Sequence, residues 1–318
     1  MRRHRITTGI LLTVGALLTG ALSTTAATAA GPAPDPTVRT APAAEQQRAT
    51  AFWTAERMRS AAPLDLRLTP RAAKQLRTPR PGGDTTTVAP TAFPQAGGPW
   101  TGGGAVVKTS GRVFFTFQGR TASCSGNAVT SQNASTVITA GHCVKYQGSW
   151  HTNWVFVPGY DNGQAPYGQW AATKTLTTPQ WEASEDINHD IGAAVVAPLN
   201  GQKLTAVTGA QGIQFNGGYN KPMYAFGFPA ASPYDGSKLI HCSGNSSKDF
   251  LFSQDHSLAC NMTGGSSGGP WFTGFSEATG TGLQVSVNSF GYTFLPNRMF
   301  GPYFGNEAKA LYDKAQVS

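Results

Sequence analysis

A series of short apolar runs, beginning after Gly102, constrains the fold of this chain more than any other feature. The runs are rich in Val, Ile, Phe and Thr, and clusters of Gly, Asn, Pro or Ser separate them. They read AVVKTSGRVFFTF, NAVTSQNASTVITA, WVFVPGY, IGAAVVAPL, PMYAFGF and GLQVSVNSFGYTF. Short strands between frequent turns are typical of all-β barrels and sandwiches. Only the tail, NEAKALYDKAQ, has helical character, so the sequence predicts an all-β body of one large or two packed barrels with a C-terminal helix.

Composition and charge exclude several other classes of protein. The 318 residues include 38 Gly and only 13% charged residues, which argues against a coiled coil or a charged disordered chain. The net charge of +8 is concentrated at the amino-terminal end, because residues 1–98 hold 12 of the 24 Lys and Arg but only five of the 16 Asp and Glu. The body after them is nearly neutral and lacks the basic surface that nucleic acid requires, so we expect no nucleic-acid partner.

The first thirty residues have the pattern of an export signal. Three arginines near the start precede an apolar stretch at residues 10–22, which is too short to span a bilayer comfortably. Ala27-Thr28-Ala29 then fits a cleavage site of the A-x-A type. We therefore expect residues 1–30 to direct secretion out of the cell and to be removed, without stable membrane association. An uncleaved membrane anchor is the alternative.

Residues 31–98 differ in composition from the body of the chain. They are rich in Ala, Pro, Thr and Arg and contain no Cys. Residues 45–61 could form a helix, and the remainder reads as mostly irregular linker. The segment has too little apolar content to fold alone. We predict a propeptide that is removed during maturation, or else a spacer, ahead of a body at residues 99–318.

All four cysteines lie in the body, at Cys124, Cys143, Cys242 and Cys260. An even number in an exported chain predicts two disulfides, and the sequence alone allows three ways to pair them. Pairing Cys124 with Cys143 and Cys242 with Cys260 would close the shortest loops, and each bridge would contribute about 3 kcal/mol. No two cysteines have the close spacing of zinc ligands, so we expect no metal site.

Two polar residues stand at the ends of apolar runs. His142 follows the run TVITAG, where a rigidly held imidazole could act as a general base. Asp190 directly precedes the run IGAAVV, where a carboxylate could accept a hydrogen bond from an imidazole and stabilise its cationic form. Glu185 and Asp186 are competing acids nearby. A structural histidine and a turn aspartate are the simpler alternatives.

The segment TGGSSGGPWF, residues 263–272, is the third candidate for chemistry. Its four glycines allow a tight turn and leave backbone N–H groups pointing at one spot, which is the geometry of an oxyanion hole. Ser267 at the centre would be the nucleophile. A flexible Gly/Ser loop is the alternative, but the bulky flank Pro-Trp-Phe ties the loop to a core.

Chain order separates the known scaffolds for such a serine. The nucleophile elbow of α/β-hydrolases requires a His after the Ser, and no His follows Ser267. The subtilisin order requires an acid before the His, and every acid before His142 lies in residues 31–98, which we expect to be removed. Only the order His142, Asp190, Ser267 remains, which is that of the chymotrypsin scaffold.

These motifs resemble those of the chymotrypsin-like (trypsin-like) serine peptidases, most closely the secreted bacterial branch that includes the glutamyl endopeptidases. TAGHC, HDIGAAVV and GGSSGGP carry the resemblance, and WVFVPGY and FGFPAASPYDG are also similar to that branch. The likeness covers residues 102–318. It implies two six-stranded antiparallel barrels, at about residues 102–198 and 199–304, then a helix at about 305–316. It places the catalytic site in the cleft between the barrels.

The resemblance also implies a role for each candidate residue. His142 would be the general base, Asp190 would orient it, and Ser267 would attack the scissile carbonyl to form an acyl-enzyme. The backbone N–H groups of Gly265 and Ser267 would receive the oxyanion. No cofactor is expected.

The resemblance implies two disulfides and a substrate-binding strand as well. One disulfide would join Cys124 to Cys143 beside the catalytic histidine, and the other would join Cys242 to Cys260 before the nucleophile. The motif NSFG resembles the strand that pairs with the substrate backbone and forms a wall of the primary pocket. The residues expected to form that wall are Ser289, Phe290 and Gly291.

The chain departs from the family's pattern at two places. Ser266 stands where most members have Asp, so it cannot form the ion pair with a new amino terminus that activates trypsin-type zymogens. Asn288 stands where the glutamyl endopeptidases have His, and Asn261 stands where the trypsin pocket has Asp. The resemblance therefore predicts a neutral polar or apolar primary pocket that includes Asn261 and Asn288.

The sequence as a whole predicts a secreted, monomeric serine endopeptidase that acts on protein or peptide substrates. Two alternatives are a non-enzymatic binding protein on the same fold and an esterase that uses the same machinery on non-peptide acyl groups. Cleavage of casein compared with short esters, together with reaction with a fluorophosphonate probe, separates the three.

Overall fold

The structure, a computed structural model, describes residues 34–74 and 95–318. These residues belong to one compact unit, which runs from Ala33 to Ser318. The predicted export signal at residues 1–30 lies outside the described residues. Within the described part of the chain, no helix is both long and apolar enough to cross a bilayer.

Strands dominate the described chain, as the apolar runs predict. In chain order the strands are β1 (Thr37–Thr40), β2 (Ala62–Pro63), β3 (Leu66–Leu68), β4 (Gln95–Pro99), β5 (Ser110–Phe117), β6 (Arg120–Ala128), β7 (Thr136–Thr139), β8 (Lys145–Tyr146), β9 (Ser149–Trp150), β10 (Thr152–Pro158), β11 (Trp170–Thr177), β12 (Gly192–Val196), β13 (Gly212–Ile213), β14 (Pro222–Gly227), β15 (Ile240–Asn245), β16 (Ser247–Lys248), β17 (His256–Ala259), β18 (Pro270–Ser276), β19 (Thr281–Val287), β20 (Phe290–Tyr292) and β21 (Arg298–Gly301). The α-helices are α1 (Ala43–Phe52), α2 (Ala55–Ser60), α3 (Pro70–Ala73), α4 (Ala105–Thr109), α5 (Pro179–Ser184), α6 (Leu204–Thr208) and α7 (Asn306–Gln316), and two short 3-10 helices cover Gly141–Cys143 and Ile187–His189.

The first half of the body is a closed antiparallel barrel of six strands. Hydrogen bonds run from β11 through β10, β5, β6, β7 and β12 and return to β11. Every residue of β7 and β12 is buried, which explains why these strands appear in the sequence as continuous apolar runs. The C-terminal helix α7 packs on this barrel through one stripe of side chains: Ala308, Leu311 and Ala315.

The strands of the second half of the body form two sheets of mainly antiparallel strands, and β4 and β3, from earlier in the chain, each add an edge strand to one of them. One has the order β13-β19-β18-β14-β15-β4, and the other has the order β16-β17-β21-β20-β3. Met223, Ala225, Trp271 and Val285 belong to the buried core of this half. The predicted all-β, chymotrypsin-like fold with a C-terminal helix is confirmed. Of the two six-stranded barrels that the resemblance implies, the first is closed, whereas the strands of the second half are divided between two sheets. Strand β4 begins at Gln95 and pairs with β15, so regular structure of the second half begins four residues before the expected start of the body at residue 99.

Residues 34–74 belong to the segment that the sequence predicts to be a propeptide, and we refer to them as the pro-segment. They are more regular than the sequence predicts. Residues 45–61 form two helices instead of one, since α1 ends at Phe52 and the Thr54 hydroxyl accepts from the Arg57 backbone to cap the start of α2. Trp53 and Met58 are each 1% exposed and pack with Phe114 of the first barrel. The segment lacks apolar material for its own core, but it completes one by packing against the body.

Both disulfides form with the pairing that the resemblance implies. Cys124 bonds Cys143 with their Cα atoms 6.1 Å apart, and Cys242 bonds Cys260 with their Cα atoms 5.5 Å apart. The first bridge ties β6 to the 3-10 helix that carries His142. No described cysteine is free.

Candidate active site

His142 is fixed at the end of strand β7, in the 3-10 helix Gly141–Cys143. Its backbone N–H donates to Asp190 Oδ1 at 2.7 Å, and its Nδ1 lies 2.7 Å from Asp190 Oδ2. The side chain has no exposed surface. Gly141 permits this approach, because a Cβ there would lie 2.9 Å from the Trp181 ring and 3.0 Å from Asp190 Oδ1. The ring therefore has one orientation, as a general base requires.

Asp190 is buried at the start of strand β12 and accepts three hydrogen bonds. Two come from His142, and the third comes from the hydroxyl of Ser289, whose Oγ lies 2.5 Å from Oδ2. A carboxylate without access to water is costly unless such donors compensate it. The structure thus brings His142 and Asp190 together as predicted and adds Ser289 as a further donor.

The competing acids near Asp190 have other partners. Asp186 Oδ2 lies 3.1 Å from His189 Nδ1, and its Oδ1 accepts from the Asn188 backbone and amide at 3.1 Å each. Burial would raise the pKa of Asp186, but these hydrogen bonds outweigh it and lower the pKa. Glu185 accepts from the Gly148 backbone at 3.3 Å. Of the three acids, Asp190 is the one in contact with His142.

Ser267 occupies a glycine-rich turn that packs against the first barrel. The Ser267 carbonyl accepts from the Ser125 backbone at 2.7 Å. Gly268 has φ +81°, and a Cβ there would lie 2.1 Å from Thr139 Oγ1 and 2.4 Å from the Ser125 carbonyl. Only glycine fits this position. The turn therefore lies beside the end of β7 that leads into His142.

A carbonyl group of the pro-segment lies at the centre of this turn. The backbone N–H of Gly265 donates to the Leu64 carbonyl oxygen at 3.3 Å, and Ser267 Oγ donates to the same oxygen at 3.3 Å. His142 Nε2 is buried without a hydrogen-bond partner. The Gly265 amide thus points into the cleft as predicted for an oxyanion donor, while the Ser267 hydroxyl is turned toward the pro-segment.

Asn288, predicted to line the pocket, instead holds the turn of residues 263–269, which is called the nucleophile turn after the role predicted for Ser267. Its amide nitrogen donates to the carbonyls of Phe226 at 2.8 Å and Ser266 at 3.0 Å, and its Oδ1 accepts from Trp271 Nε1 at 2.7 Å. The side chain is fully buried and both amide hydrogens are used. This differs from the prediction that Asn288 contacts substrate, because its donors are satisfied within the protein.

Of the other predicted substrate residues, two pair with the pro-segment through their backbone, and the other two make side-chain hydrogen bonds within the protein. Phe290 and Gly291 belong to β20, and their backbone pairs in parallel with β3 of the pro-segment. Ser289 directs its hydroxyl to Asp190 rather than into a pocket. Asn261 is half-buried and accepts a hydrogen bond from the Tyr234 hydroxyl at 2.6 Å.

Two supporting residues were not predicted from the sequence. Ser125 donates its hydroxyl to the Gly265 carbonyl at 2.9 Å, accepts from the Phe228 backbone and thereby supports the nucleophile turn from below. Trp181 lies beside Gly141, with its ring 6.3 Å from that of His142. The position of Ser125 next to a disulfide cysteine is the one local signal that could have indicated it.

A second histidine lies directly behind the first. His151 Nε2 is 2.8 Å from the His142 carbonyl, and its ring stacks on Phe115 with centroids 4.2 Å apart. Burial lowers the pKa of His151 to about 3. This ring is therefore neutral near pH 7 and supports the His142 backbone without adding charge to the site.

One group of described side chains has metal-ligand spacing, and its chemistry does not suit a metal. Ligand atoms of Cys124, His142 and Cys143 lie within 4.8 Å of one another. Both sulfurs are joined in the disulfide and cannot act as thiolate ligands. The group is better described as a disulfide packed beside a histidine.

Solved structures similar to this chain are proteases. The protease Anisep from Arthrobacter nicotinovorans is 45% identical, with a TM-score of 0.64 over 67% of this chain and 98% of that one. The thermostable serine protease AL20, from an extremophilic microorganism, is 42% identical with the same TM-score over 67% of this chain and 99% of its own. A Glu endopeptidase in complex with MPD has a TM-score of 0.55 over 70% and 97% of the chains, at 15% identity, which is a likeness of fold alone.

Comparison by sequence gives a more distant relative. An extracellular metalloprotease of Bacillus subtilis (strain 168) is 27% identical over 186 residues, which are 58% of this chain. The match spans only 56% of the length of that relative. No family model matches the chain.

Proposed function

Because the chain belongs to the chymotrypsin-like serine peptidases, we propose that it is a secreted serine endopeptidase acting through His142, Asp190 and Ser267. The observation that carries this proposal is the buried pair of His142 and Asp190, joined by two hydrogen bonds of 2.7 Å. The extracellular location named for the Bacillus subtilis relative supports secretion.

The geometry around His142 suits it to take a proton from Ser267. Asp190 accepts from Nδ1, so the hydrogen resides on that nitrogen and Nε2 keeps its lone pair. Nε2 then removes the Ser267 proton as Oγ attacks the scissile carbonyl, and later protonates the leaving amine. Asp190, held by Ser289, stabilises the imidazolium that forms between these steps.

The oxyanion would be bound by backbone N–H groups of the nucleophile turn. The Gly265 N–H already donates to a carbonyl oxygen in the cleft, and the Ser267 N–H would be the second donor. Loss of one such donor typically costs about 3 kcal/mol of transition-state stabilisation. The turn is suited to this because Asn288 and Ser125 hold it from the interior side.

The substrate's acyl side, which precedes the scissile bond, would lie along Ser289–Gly291. These residues would form one wall of the primary pocket. The backbone edge of β20, which pairs with β3 here, would pair with an extended peptide. Asn261 contributes a neutral polar group to the pocket, so neither an acidic nor a basic side chain is preferred. Ser266 Oγ donates to the Thr263 carbonyl at 2.8 Å, so activation would not use an ion pair at this position.

We assign residues 1–30 to the signal peptide, 31–98 to a propeptide and 99–318 to the peptidase domain. The propeptide assignment rests on its composition and on its lack of a core apart from the body. The mature protein would act as a monomer on proteins and peptides.

Cleavage of casein by the protein recovered from the culture medium tests the proposal. We expect hydrolysis by the processed protein, and a loss of several orders of magnitude in Ser267→Ala or His142→Ala with folding unchanged. Turnover of short esters without any peptide cleavage would replace the endopeptidase with an esterase. No turnover of either substrate would favour a binding protein on this fold.

A further inference from the structure

Residues 62–68 of the pro-segment run through the candidate active site in extended form. Strand β2 pairs with β6 of the first barrel, with Ala62 opposite Ala122 and Pro63 opposite Ser123. Strand β3 pairs with β20 of the second half, with Leu66 opposite Phe290 and two further pairs after it. Both pairings are parallel. Because β2 pairs with the first barrel and β3 pairs with the second half, this one stretch of chain bridges the two halves of the body.

Leu64, at the centre of this stretch, lies against the proposed catalytic groups. The Leu64 N–H donates to the Ser123 carbonyl at 3.0 Å, and its own carbonyl oxygen accepts from Gly265 N–H and Ser267 Oγ. The Leu64 carbonyl therefore lies where we expect the oxyanion donors to act. Asp65 follows against Gly264, where an added Cβ would lie 2.7 Å from the Asp65 Cβ.

Side chains after the centre anchor the stretch along β20. Leu66 is 6% exposed in an apolar cluster with Trp181 and Phe290. Arg67 donates to the Asp65 carboxylate at 2.9 Å, and a Cβ on Gly291 would lie 2.8 Å from the Arg67 guanidinium. The alternation of Leu66 inward and Arg67 outward is that of a strand added to a sheet edge.

The direction of this stretch is opposite to that of a substrate. For the Leu64–Asp65 bond, the acyl side is residues 62–64, which lie along β6. The amine side begins at Asp65, and residues 66–68 lie along β20. A substrate bound as proposed above has its acyl side on β20. We propose that residues 62–68 are a built-in inhibitor that occupies the substrate cleft with reversed chain direction, so that the precursor blocks its own site without being cut there. This inference rests on the proposed function.

The contacts at Ser267 favour an inhibitor whose Leu64–Asp65 bond stays uncleaved. The Ser267 hydroxyl donates to the Leu64 oxygen, whereas attack requires that proton to pass to His142 Nε2, which has no partner here. The amine side of the bond is also held by the three residue pairs with β20, so a severed amine would stay in place to re-form the bond. Trp53, between helices α1 and α2, holds the same segment on the first barrel, because its Nε1 donates to the Asn153 carbonyl at 2.7 Å.

The rate at which a fluorophosphonate probe labels Ser267 tests the inhibition. The full precursor should react at least about tenfold more slowly than the processed protein. Leu66→Asp in the precursor should restore fast labelling, because it places a carboxylate in the apolar cluster. Val38→Asp is the matched control, since Val38 lies in β1 of the same segment, where it pairs with Leu176 of β11 and its side chain is exposed.

A synthetic peptide of residues 60–70 tests the direction without any folding variant. Added to the processed protein, it should slow probe labelling and casein cleavage, and mass spectrometry should find its Leu64–Asp65 bond intact. The same peptide with Leu66→Asp should have no effect. Rapid cleavage at Leu64–Asp65, absent with Ser267→Ala protein, would show a substrate direction and overturn the proposal.

The possible failures are distinguishable. A precursor that is labelled as fast as the processed protein, with casein still cleaved after processing, would overturn the inhibitor and leave the peptidase function standing. A processed protein that neither reacts with the probe nor cleaves casein would overturn the function, and the inhibitor with it.

Discussion

The hydroxyl of Ser289 donates to Asp190 Oδ2 across 2.5 Å, joining two residues that are 99 positions apart in the chain. Ser289 comes from the second half of the body, and Asp190 lies two residues before strand β12 of the first barrel. This hydrogen bond therefore links the acid of the proposed triad to the far side of the cleft. It makes the orientation of His142 depend on how the two halves pack.

Removal of this hydroxyl should slow turnover while leaving substrate binding nearly intact. A hydrogen bond to a charged group contributes about 1.5–3 kcal/mol, so Ser289→Ala should lower kcat roughly ten- to a hundredfold with little change in KM. The pH profile of kcat should also change, because Asp190 loses a donor. Ser286→Ala is the control, since its hydroxyl donates to the Pro302 carbonyl. Equal effects of the two variants would indicate a structural role only.

The assignment of the acid is tested by two substitutions four residues apart. Asp190→Asn should lower kcat by about four orders of magnitude, because an amide no longer stabilises the imidazolium or fixes its tautomer. Asp186→Asn should leave kcat within about tenfold of the parent, since Asp186 bonds His189 and Asn188. If Asp186→Asn is the damaging change, the acid has been assigned wrongly. Circular dichroism of both variants checks that the fold is retained.

A buried acid beside the site should make the fold less stable as pH rises. Asp255 is fully buried and neither of its carboxylate oxygens has a hydrogen-bond partner. Burial and the charge of Asp249 raise its pKa well above the usual range. The folded state then holds a proton that the unfolded chain releases above about pH 4, so this group's stabilising effect is present at low pH and is lost as pH rises toward its folded pKa.

Asp255→Asn should remove this dependence. In a Ser267→Ala background, which prevents self-digestion, the variant should have a larger free energy of unfolding at pH 8, and the gain should shrink toward pH 4. Urea unfolding at several pH values measures it. Asp249→Asn is the control and should be destabilised, because Asp249 accepts from Ser253 and Tyr292. A pH-independent difference between Asp255→Asn and its parent would contradict the assignment.

A buried histidine should have the opposite effect and make the fold less stable as pH falls. Burial lowers the pKa of His256 to about 3, while the unfolded residue titrates near 6.5. Between these values the unfolded state binds the extra proton, so the free energy of unfolding falls by about 1.4 kcal/mol for each pH unit below 6.5. His256→Gln should remove this contribution between pH 6 and pH 4. If the free energies of unfolding of the variant and its parent change equally with pH over this range, the low pKa assigned to His256 is contradicted.

Local features of the sequence were sufficient to predict most of the fold and the contact between His142 and Asp190. The apolar runs became the strands, and the glycines around Ser267 form the turn that they predict. His142 and Asp190 were indicated by their positions at the ends of buried runs, and they are in contact. Each of these signals involves neighbours in the chain, where spacing and residue type are informative.

Contacts between distant segments could not be predicted in the same way. The hydrogen bond between Ser267 and Leu64 joins residues 203 positions apart, and nothing in the composition of the chain around Leu64 indicates that it meets Ser267. Asn288 was expected in the pocket because it stands where the glutamyl endopeptidases have His, but that resemblance does not indicate which interior carbonyls its amide meets. Tertiary packing determines both.

Mapping of the residue that a fluorophosphonate probe modifies in the processed protein tests the central claim most directly. Peptide mass spectrometry should place the adduct on Ser267, and His142→Ala should lower its rate of formation by several orders of magnitude. Labelling at another residue, or labelling of Ser267 that is unaffected by His142→Ala, would contradict an active site built from His142, Asp190 and Ser267.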